Sequence, residues 1–210
     1  NVPHKENISY FGSFDEAHMV YQFSLPPLLL HALYSGYAGY LSEWAKNIPD
    51  LPEGASFFNF TASHDGIGVR PLEGLLPDQE QEDLYDAMKD AGGYISYKTN
   101  PDGTESPYEL NITYFDALKR DKTGRENLHI ERFICSQTVM MSLRGIPAFY
   151  IHSLTATPNY YEGMQETGRY RSINRRKWHK HELDFLIAEK DTAAAIVMKE
   201  LLRIIDIRSQ

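Results

Sequence analysis

A histidine and an aspartate stand together directly after an apolar segment that is typical of a β-strand. His64 and Asp65 follow the segment 57–62 and precede Gly66. A carboxylate held at a strand end can stabilise a positively charged sugar ring, the oxocarbenium-like state of glycosyl transfer. The adjacent imidazole can form hydrogen bonds with sugar hydroxyls, and the glycine lets a ligand approach the backbone closely. The alternative interpretation is a capped Asp-Gly turn without chemistry.

A cluster of positive charge interrupts a chain that is acidic overall. Five arginine and lysine side chains lie within the nine residues from Arg169 to Lys177, although the net charge of the chain is -8. A guanidinium group donates paired hydrogen bonds that suit phosphate, carboxylate or the vicinal hydroxyls of a sugar. Arg169 and Arg171 are therefore candidate substrate-binding residues. The alternative is a solvated basic loop that pairs with the acidic surface.

A third candidate region is the loop from Pro107 to Phe115, which contains Tyr108 and Glu109. Aromatic rings in a long loop can stack on sugar rings, and polar side chains there can hold hydroxyl groups. We take Tyr108 and Glu109 as candidate substrate-binding residues. Packing of the loop against its own surroundings is the alternative.

The bulk properties exclude several classes of protein. The 210 residues are enough for one domain with an apolar core. An acidic chain is a poor partner for nucleic acid, because phosphate backbones select basic surfaces. The single cysteine, Cys135, cannot form an internal disulfide; we expect it to be a small buried side chain in a reducing compartment, and the protein to be cytoplasmic.

No sequence pattern indicates a cofactor, a metal or a membrane. The sequence has no phosphate-binding P-loop motif, and Gly66 and Gly68 give only part of a dinucleotide-binding fingerprint. His64 and Asp65 have no third ligand at a spacing that is diagnostic of a metal site. The longest apolar run, at 25–30, is far shorter than the ~20 residues of a membrane span. We therefore expect no cofactor, no metal and no membrane contact.

The apolar spacing predicts strands that alternate with helices. Strands are predicted at 18–23, 57–62 and 147–151, and helices at 24–47, 78–90, 128–144 and 192–208, with Asp78 as the N-cap of its helix. The stretches 94–127 and 152–190 are predicted to be irregular, with turns at 100–103 and 122–124. Such alternation is typical of parallel strands connected by helices, an α/β fold. In a (β/α)8 barrel the loops that follow the strands form the active site.

Several motifs in this order resemble the α-amylase superfamily, glycoside hydrolase family 13, in its sucrose phosphorylase and glucosylglycerate phosphorylase branch. The resemblance covers nearly the whole chain. The pair His64 and Asp65 alone would be a weak signal, but its combination with the downstream run from Arg171 to Arg175 is specific to the branch. The matching runs are 1–12, 58–69, 74–77, 108–114, 144–150 and 171–175.

The resemblance implies that residues 1–210 are the C-terminal portion of a TIM-barrel catalytic domain. The three strands would be the sixth, seventh and eighth of a partial (β/α)8 barrel. A long inserted region after strand seven, at 78–127, would form a subdomain on the acceptor side.

The resemblance also implies a role for each candidate residue in a retaining double displacement. Asp65 matches the family's catalytic, transition-state-stabilising aspartate, and His64 and Arg171 match residues that bind the donor glucose. Tyr108 and Glu109 fall on the loop that handles acceptor and phosphate. Glu109 replaces an expected glutamine and Ser172 an expected aspartate, which favours an acceptor other than fructose, such as glycerate.

The nucleophilic aspartate and the acid/base glutamate of the family have no counterpart in this chain. A retaining mechanism needs both carboxylates about 5 Å apart, so the chain alone is expected to be inactive. Three parallel strands cannot close a barrel and leave an open edge and an uncovered face. We expect the chain to pair with a missing N-terminal half or to self-associate, and the complete protein to use an α-glucoside and inorganic phosphate as substrates.

Two other functions stay open on sequence grounds. The first is an α-glucosidase or transglucosidase of the same family, since water, sugars and phosphate compete for one glucosyl intermediate. The second is a non-catalytic fragment that binds carbohydrate or takes part in assembly.

Overall fold

Strands and helices alternate along the chain, as the apolar spacing predicts. The computed structural model describes residues 1–13 and 15–210. The strands are β1 Met19–Tyr21, β2 Ser56–Asn59, β3 Ile67–Gly68, β4 Tyr94–Thr99, β5 Glu105–Asn111 and β6 Ile146–Pro147. The α-helices are α1 His4–Ser9, α2 Leu25–Ser35, α3 Gly39–Lys46, α4 Asp78–Asp90, α5 Tyr114–Ala117, α6 His129–Ser142, α7 Ile151–Leu154, α8 Tyr161–Thr167, α9 Lys180–Ala188 and α10 Ala193–Ser209. Short 3-10 helices occupy Arg70–Leu72 and Tyr170–Asn174.

The first sheet is parallel and has the strand order β1-β2-β6. Val20 is paired with Phe57, and Phe58 with Ile146. Each strand is followed by helices that return the chain to the start of its neighbour, which is the connection that parallel strands require. The predicted parallel α/β arrangement is therefore confirmed. The predicted third strand was too long, because Ile151 is the first residue of α7 rather than the last of a strand.

The second sheet was not predicted. Its order is β3-β5-β4, and all its pairs are antiparallel. The hairpin β4–β5 lies in the stretch that was predicted to be irregular, around the correctly predicted turn at 100–103. The strands were missed because β4 buries only Ile95, so the alternation of apolar and polar residues that identifies a strand is weak there.

Three predictions about helices were wrong. The helix at 24–47 is two helices, because Gly36 adopts a left-handed conformation, with φ 74°, and ends α2. The stretch 152–190 contains α7, α8 and α9, which are short and bury few residues. Asp78 is the first residue of α4 and not its N-cap, which is Pro77.

The only cysteine also differs from expectation. Cys135 lies on α6 and is exposed, whereas its neighbours Phe133 and Ser136 are fully buried. Phe133 points toward α2 and α10 in the main apolar core, and Cys135 therefore lies on the opposite side of the helix.

The parallel sheet has one covered face and one open face. Val20 and Phe57 are buried together with Phe11 on the covered face. Alternate residues point to the other side, where Tyr21 is 52% and Ile146 is 46% exposed. On this open side Tyr21, Phe23, Phe58 and Phe60 form a contiguous group, the aromatic face, with ring centroids 4.9 Å apart between Tyr21 and Phe58 and 5.7 Å apart between Phe23 and Phe60.

A second, larger apolar core lies between the helices and the antiparallel sheet. It includes Leu30, Leu84 and Val197. Within the described ranges, none of these helices has the length and apolar character that crossing a membrane would require.

Two histidines, the buried His152 and the half-buried His129, make the stability of the fold sensitive to acid. The Nε2 atom of His152 is 2.9 Å from the carbonyl oxygen of Arg176, and that of His129 is 2.8 Å from the carbonyl oxygen of Phe115. Burial is the largest cause that lowers the pKa of both imidazoles below the ordinary 6.5. The unfolded chain therefore binds a proton more readily than the folded chain as the pH falls below 6.5.

We expect the free energy of unfolding to fall between about pH 7.5 and about pH 5.5. Glutamine at positions 129 and 152 can donate to the same carbonyls but does not titrate, so the double variant H129Q/H152Q should lose less stability over this range. Urea denaturation at each pH measures the change. His18→Gln, at an exposed position, is the control and should retain the decline; an equally steep decline in the double variant would contradict this account.

Candidate functional site

A cleft opens where the chain leaves β1 and β2, beside the aromatic face. Phe23 and Phe60 form its apolar wall, and Thr61 lies at its base. The strand β5 and the 3-10 helix at 170–174 complete the walls, and the enclosed volume is about 180 Å³. The cleft therefore lies at the carboxyl ends of parallel strands, where α/β proteins generally bind ligands.

Asp65 lies in this cleft between two guanidinium groups. Its Oδ1 atom is 3.2 Å from Nη1 of Arg171 and 3.0 Å from Nη2 of Arg175. The side chain is 36% exposed, so the carboxylate still faces the open part of the cleft. Two positively charged partners thus contact one oxygen of this carboxylate.

The backbone of the turn at 64–65 is held by side chains from both sides. The amide of Asp65 donates to Oγ of Ser63 at 3.1 Å, and Nε of Arg175 donates to the carbonyl oxygen of His64 at 2.8 Å. Nδ2 of Asn174 donates to the carbonyl oxygen of Asp65 at 3.3 Å. The position of the Asp65 carboxylate is therefore fixed by the 3-10 helix and the residue that follows it, more than one hundred residues later in the chain.

Glu109 and Arg171 form a bidentate ion pair in the wall of the cleft. Nε and Nη2 of Arg171 donate to the two carboxylate oxygens of Glu109 at 2.8 and 2.6 Å. The Glu109 side chain is 5% exposed and that of Arg171 is 42% exposed. The hydrogen bond to Glu109 is the largest cause that raises the pKa of Arg171. Arg171 thus bridges a buried carboxylate and the partly open carboxylate of Asp65.

Gly66 brings the two acidic residues close together. A Cβ atom at this position would lie 2.8 Å from the carbonyl oxygen of Leu110 and 3.1 Å from Cβ of Glu109. The glycine therefore permits β5 to pass directly against the turn that carries Asp65. The sequence predicted that Gly66 allows a close approach, and the approaching group in the structure is this strand.

The structure brings together four of the six residues proposed from the sequence. Asp65, Tyr108, Glu109 and Arg171 line the cleft. The other two, His64 and Arg169, lie outside its walls. The His64 side chain is 67% exposed, with Nε2 3.7 Å from Oδ2 of Asp65, and Arg169 lines a neighbouring groove.

Two residues of the site were missed by sequence reasoning. Arg175 contacts the turn and the carboxylate at 64–65, and Asn174 lines the cleft and is buried. The hydroxyl group of Tyr150 donates to the carbonyl oxygen of Asn174 at 2.7 Å and supports this segment. Both residues belong to the motif 171–175, but spacing alone does not show which cations of the cluster face the cleft.

The arrangement combines apolar and charged groups in a way that suits a sugar. Phe23 and Phe60 offer aromatic surfaces, and Asp65 and Arg171 offer an acceptor and a donor for hydroxyl groups. Over residues 1–13 and 15–210, no group of three His, Cys, Asp or Glu side chains could hold a metal ion.

Comparison with known proteins finds relatives that are named as phosphorylases. The chain is 46% identical over 209 residues to glucosylglycerate phosphorylase of Escherichia coli (strain K12), covering 99% of this chain and 37% of the relative. It is 52% identical over 177 residues to glucosylglycerate phosphorylase of Spirochaeta thermophila, covering 84% of this chain and 30% of the relative. No protein-family model matches the chain.

A solved structure has the same fold. The crystal structure of sucrose 6F-phosphate phosphorylase from Thermoanaerobacter thermosaccharolyticum matches with a TM-score of 0.77 and 24% identity, covering 97% of this chain and 38% of that chain. The chain thus spans 30 to 38% of the length of these three proteins. The chain is therefore similar in sequence to glucosylglycerate phosphorylases and in fold to a sucrose 6F-phosphate phosphorylase.

Proposed function

We propose that the complete protein is a retaining glycoside phosphorylase that transfers an α-glucosyl group from glucosylglycerate to inorganic phosphate and releases glucose 1-phosphate. The relatives at 46% and 52% identity carry the name glucosylglycerate phosphorylase. Glu109 and Ser172, which stand where sucrose phosphorylases are expected to have glutamine and aspartate, favour the same acceptor. The observation that carries the proposal is the Asp65 carboxylate, held by two arginines at the mouth of a cleft with aromatic walls.

In the proposed mechanism Asp65 stabilises the transition state. Positive charge develops on the glucosyl ring as the bond to the leaving group breaks, and a nearby carboxylate lowers the energy of that state more than the energy of the neutral substrate. Arg171 and Arg175 hold the carboxylate in place, so little reorganisation is needed when the ring becomes positive.

We assign binding roles to the other residues. Arg171 and the exposed His64 contact hydroxyl groups of the donor glucose, and Tyr108 contacts the acceptor side. Glu109 holds Arg171 in place, since Arg171 occupies both of its oxygens. We place Arg169 on the route by which the anionic reactants reach the cleft.

The nucleophile and the acid/base residue would come from the part of the protein outside this chain. We propose that β1, β2 and β6 are the sixth, seventh and eighth strands of a (β/α)8 barrel, with 78–127 as a subdomain on the acceptor side. The strand order β1-β2-β6 supports this, because strands that follow one another in sequence are neighbours in such a barrel. The remaining strands would then cover the aromatic face.

The first test is Asp65→Asn in the complete protein, an isosteric change that removes the charge. We expect kcat/KM for phosphate-dependent release of glucose 1-phosphate to fall by roughly a thousandfold, because the favourable charge interaction with the transition state is lost. Asp50→Asn, at an exposed position, is the matched control and should leave the rate unchanged. Turnover of Asp65→Asn close to that of the parent protein would refute the role of Asp65, and release of free glucose without phosphate dependence would indicate a hydrolase instead.

A second test addresses the pair of Glu109 and Arg171. Glu109→Gln leaves Arg171 with one neutral acceptor in a buried position, so we expect a loss of about 1–2 kcal/mol in the free energy of unfolding. Glu200→Gln is the matched control, because Glu200 also pairs with an arginine, Arg203, on the solvated surface of α10. It should change stability by less than ~0.5 kcal/mol in urea denaturation. Equal losses in both variants would contradict a special role for the cleft pair.

The third test uses the chain by itself. The open aromatic face and the free edges of β1 and β6 expose apolar groups and unpaired backbone groups that favour association. We expect sedimentation to show the 210-residue chain as oligomers, and as a single stoichiometric complex when the N-terminal remainder of the protein is added. A stable monomer that does not bind the N-terminal remainder of the protein would be evidence against the barrel proposal.

A further inference from the structure

A second groove lies next to the cleft, on the other side of Arg175. We call it the cationic groove and define it by Arg169, Arg175 and Lys177, together with the hydroxyl groups of Thr167 and Ser172. Its volume is about 590 Å³, and Tyr160 and Gly163 form its floor. Of these three cations, only Arg175 also contacts the turn at 64–65 in the cleft.

Two of the three cations of the cationic groove, Arg169 and Lys177, form no ion pair within the described residues, whereas Arg175 pairs with Asp65. Arg169 and Lys177 are exposed, and among the residues that the structure describes neither has a carboxylate within ion-pair distance. Glu166 is the one acidic residue of the lining in the described chain. In a chain with 29 acidic and 21 basic residues, a concave surface that collects unpaired cations is unusual. Such a surface attracts small anions.

The hydroxyl groups of the groove donate within the protein, so the cations supply the groups that can bind an anion. Oγ1 of Thr167 donates to the carbonyl oxygen of Gly163 at 2.7 Å, so the 2.6 Å contact between the two hydroxyls uses Ser172 as the donor. The amide of Arg169 donates to the same Thr167 oxygen at 3.3 Å. These bonds fix the chain between α8 and the 3-10 helix, and they hold Arg169 at the rim of the groove. Guanidinium and ammonium groups together are suited to an oxyanion.

Arg175 connects the cationic groove with the cleft. Its Nε and Nη2 atoms face the carbonyl oxygen of His64 and the carboxylate of Asp65, at 2.8 and 3.0 Å, while its side chain also lines the groove. An anion in the groove would therefore lie one side chain away from Asp65. Such an anion would also compete with the Asp65 carboxylate for the guanidinium group of Arg175.

We propose that the cationic groove is a binding site for a small oxyanion, a phosphate or a carboxylate, that is a reactant of the neighbouring cleft. The identity of the reactant rests on the proposed function. The existence of the site rests on the unpaired Arg169 and Lys177. A phosphate ion and the carboxylate of a glycerate acceptor share this chemistry.

The test uses the complete protein and the double variant R169Q/K177Q, which keeps both side chains polar and removes two charges. Calorimetric titration with inorganic phosphate and, separately, with glycerate measures binding without turnover. We expect the double variant to bind at least one of the two anions roughly three- to tenfold more weakly, because two charge-assisted contacts are lost at a partly exposed site. The matched control is K190Q/K199Q, which removes the same charge from exposed positions elsewhere and should bind both anions like the parent protein.

Steady-state kinetics then identifies the anion. A higher KM for phosphate in phosphorolysis indicates a phosphate site, and a higher KM for glycerate in the reverse reaction with glucose 1-phosphate indicates a carboxylate site. Unchanged affinity of the double variant for both anions, or no binding of either anion by the parent protein, would overturn the proposal. If the complete protein released no glucose 1-phosphate, only the proposed function would be refuted. The titrations would still decide whether the groove binds an anion.

Discussion

The site depends on one shared guanidinium. Arg171 forms a bidentate pair with the buried carboxylate of Glu109 and also contacts Asp65 at 3.2 Å. A buried carboxylate without a partner would be costly, and two carboxylates in one wall would repel each other. Arg171 resolves both problems, and Arg175 adds a second positive charge on the open side of Asp65. The two carboxylates and the two guanidinium groups are therefore held in fixed places, with the Asp65 carboxylate partly open to the cleft.

The fold supplies this arrangement from three distant parts of the chain. The strand β2 ends just before the turn at 64–65, the strand β5 carries Glu109, and the 3-10 helix at 170–174 carries Arg171. Gly66 allows β5 to contact the turn, since any larger residue would meet the backbone of Leu110. The antiparallel hairpin that holds Glu109 is thus a structural requirement of the site as well as one wall of it.

The same parallel sheet that places Asp65 leaves a surface uncovered. Its rear face is filled by Phe11, Val20 and Phe57, whereas its front face exposes Tyr21 and Ile146. Exposed aromatic surface next to a charged cleft is unfavourable in water unless something covers it. The chain spans 30 to 37% of the two glucosylglycerate phosphorylases, and in the proposed barrel the remaining strands would cover this face.

The sequence by itself predicted the parallel α/β pattern and three helices close to those observed, and its family resemblance gave Asp65 and Arg171 as candidate residues, which line the same cleft. These features depend on local periodicity and on motifs that are continuous in the chain. Only the tertiary structure decided that Arg171 would pair with Glu109, that Arg175 would hold the turn at 64–65, and that Arg169 would line a second groove. The hairpin β4–β5 and the exposure of Cys135 also required it. The physical reason is that ion pairs, hydrogen bonds and burial depend on distances between segments up to 111 residues apart, which neither spacing nor composition encodes.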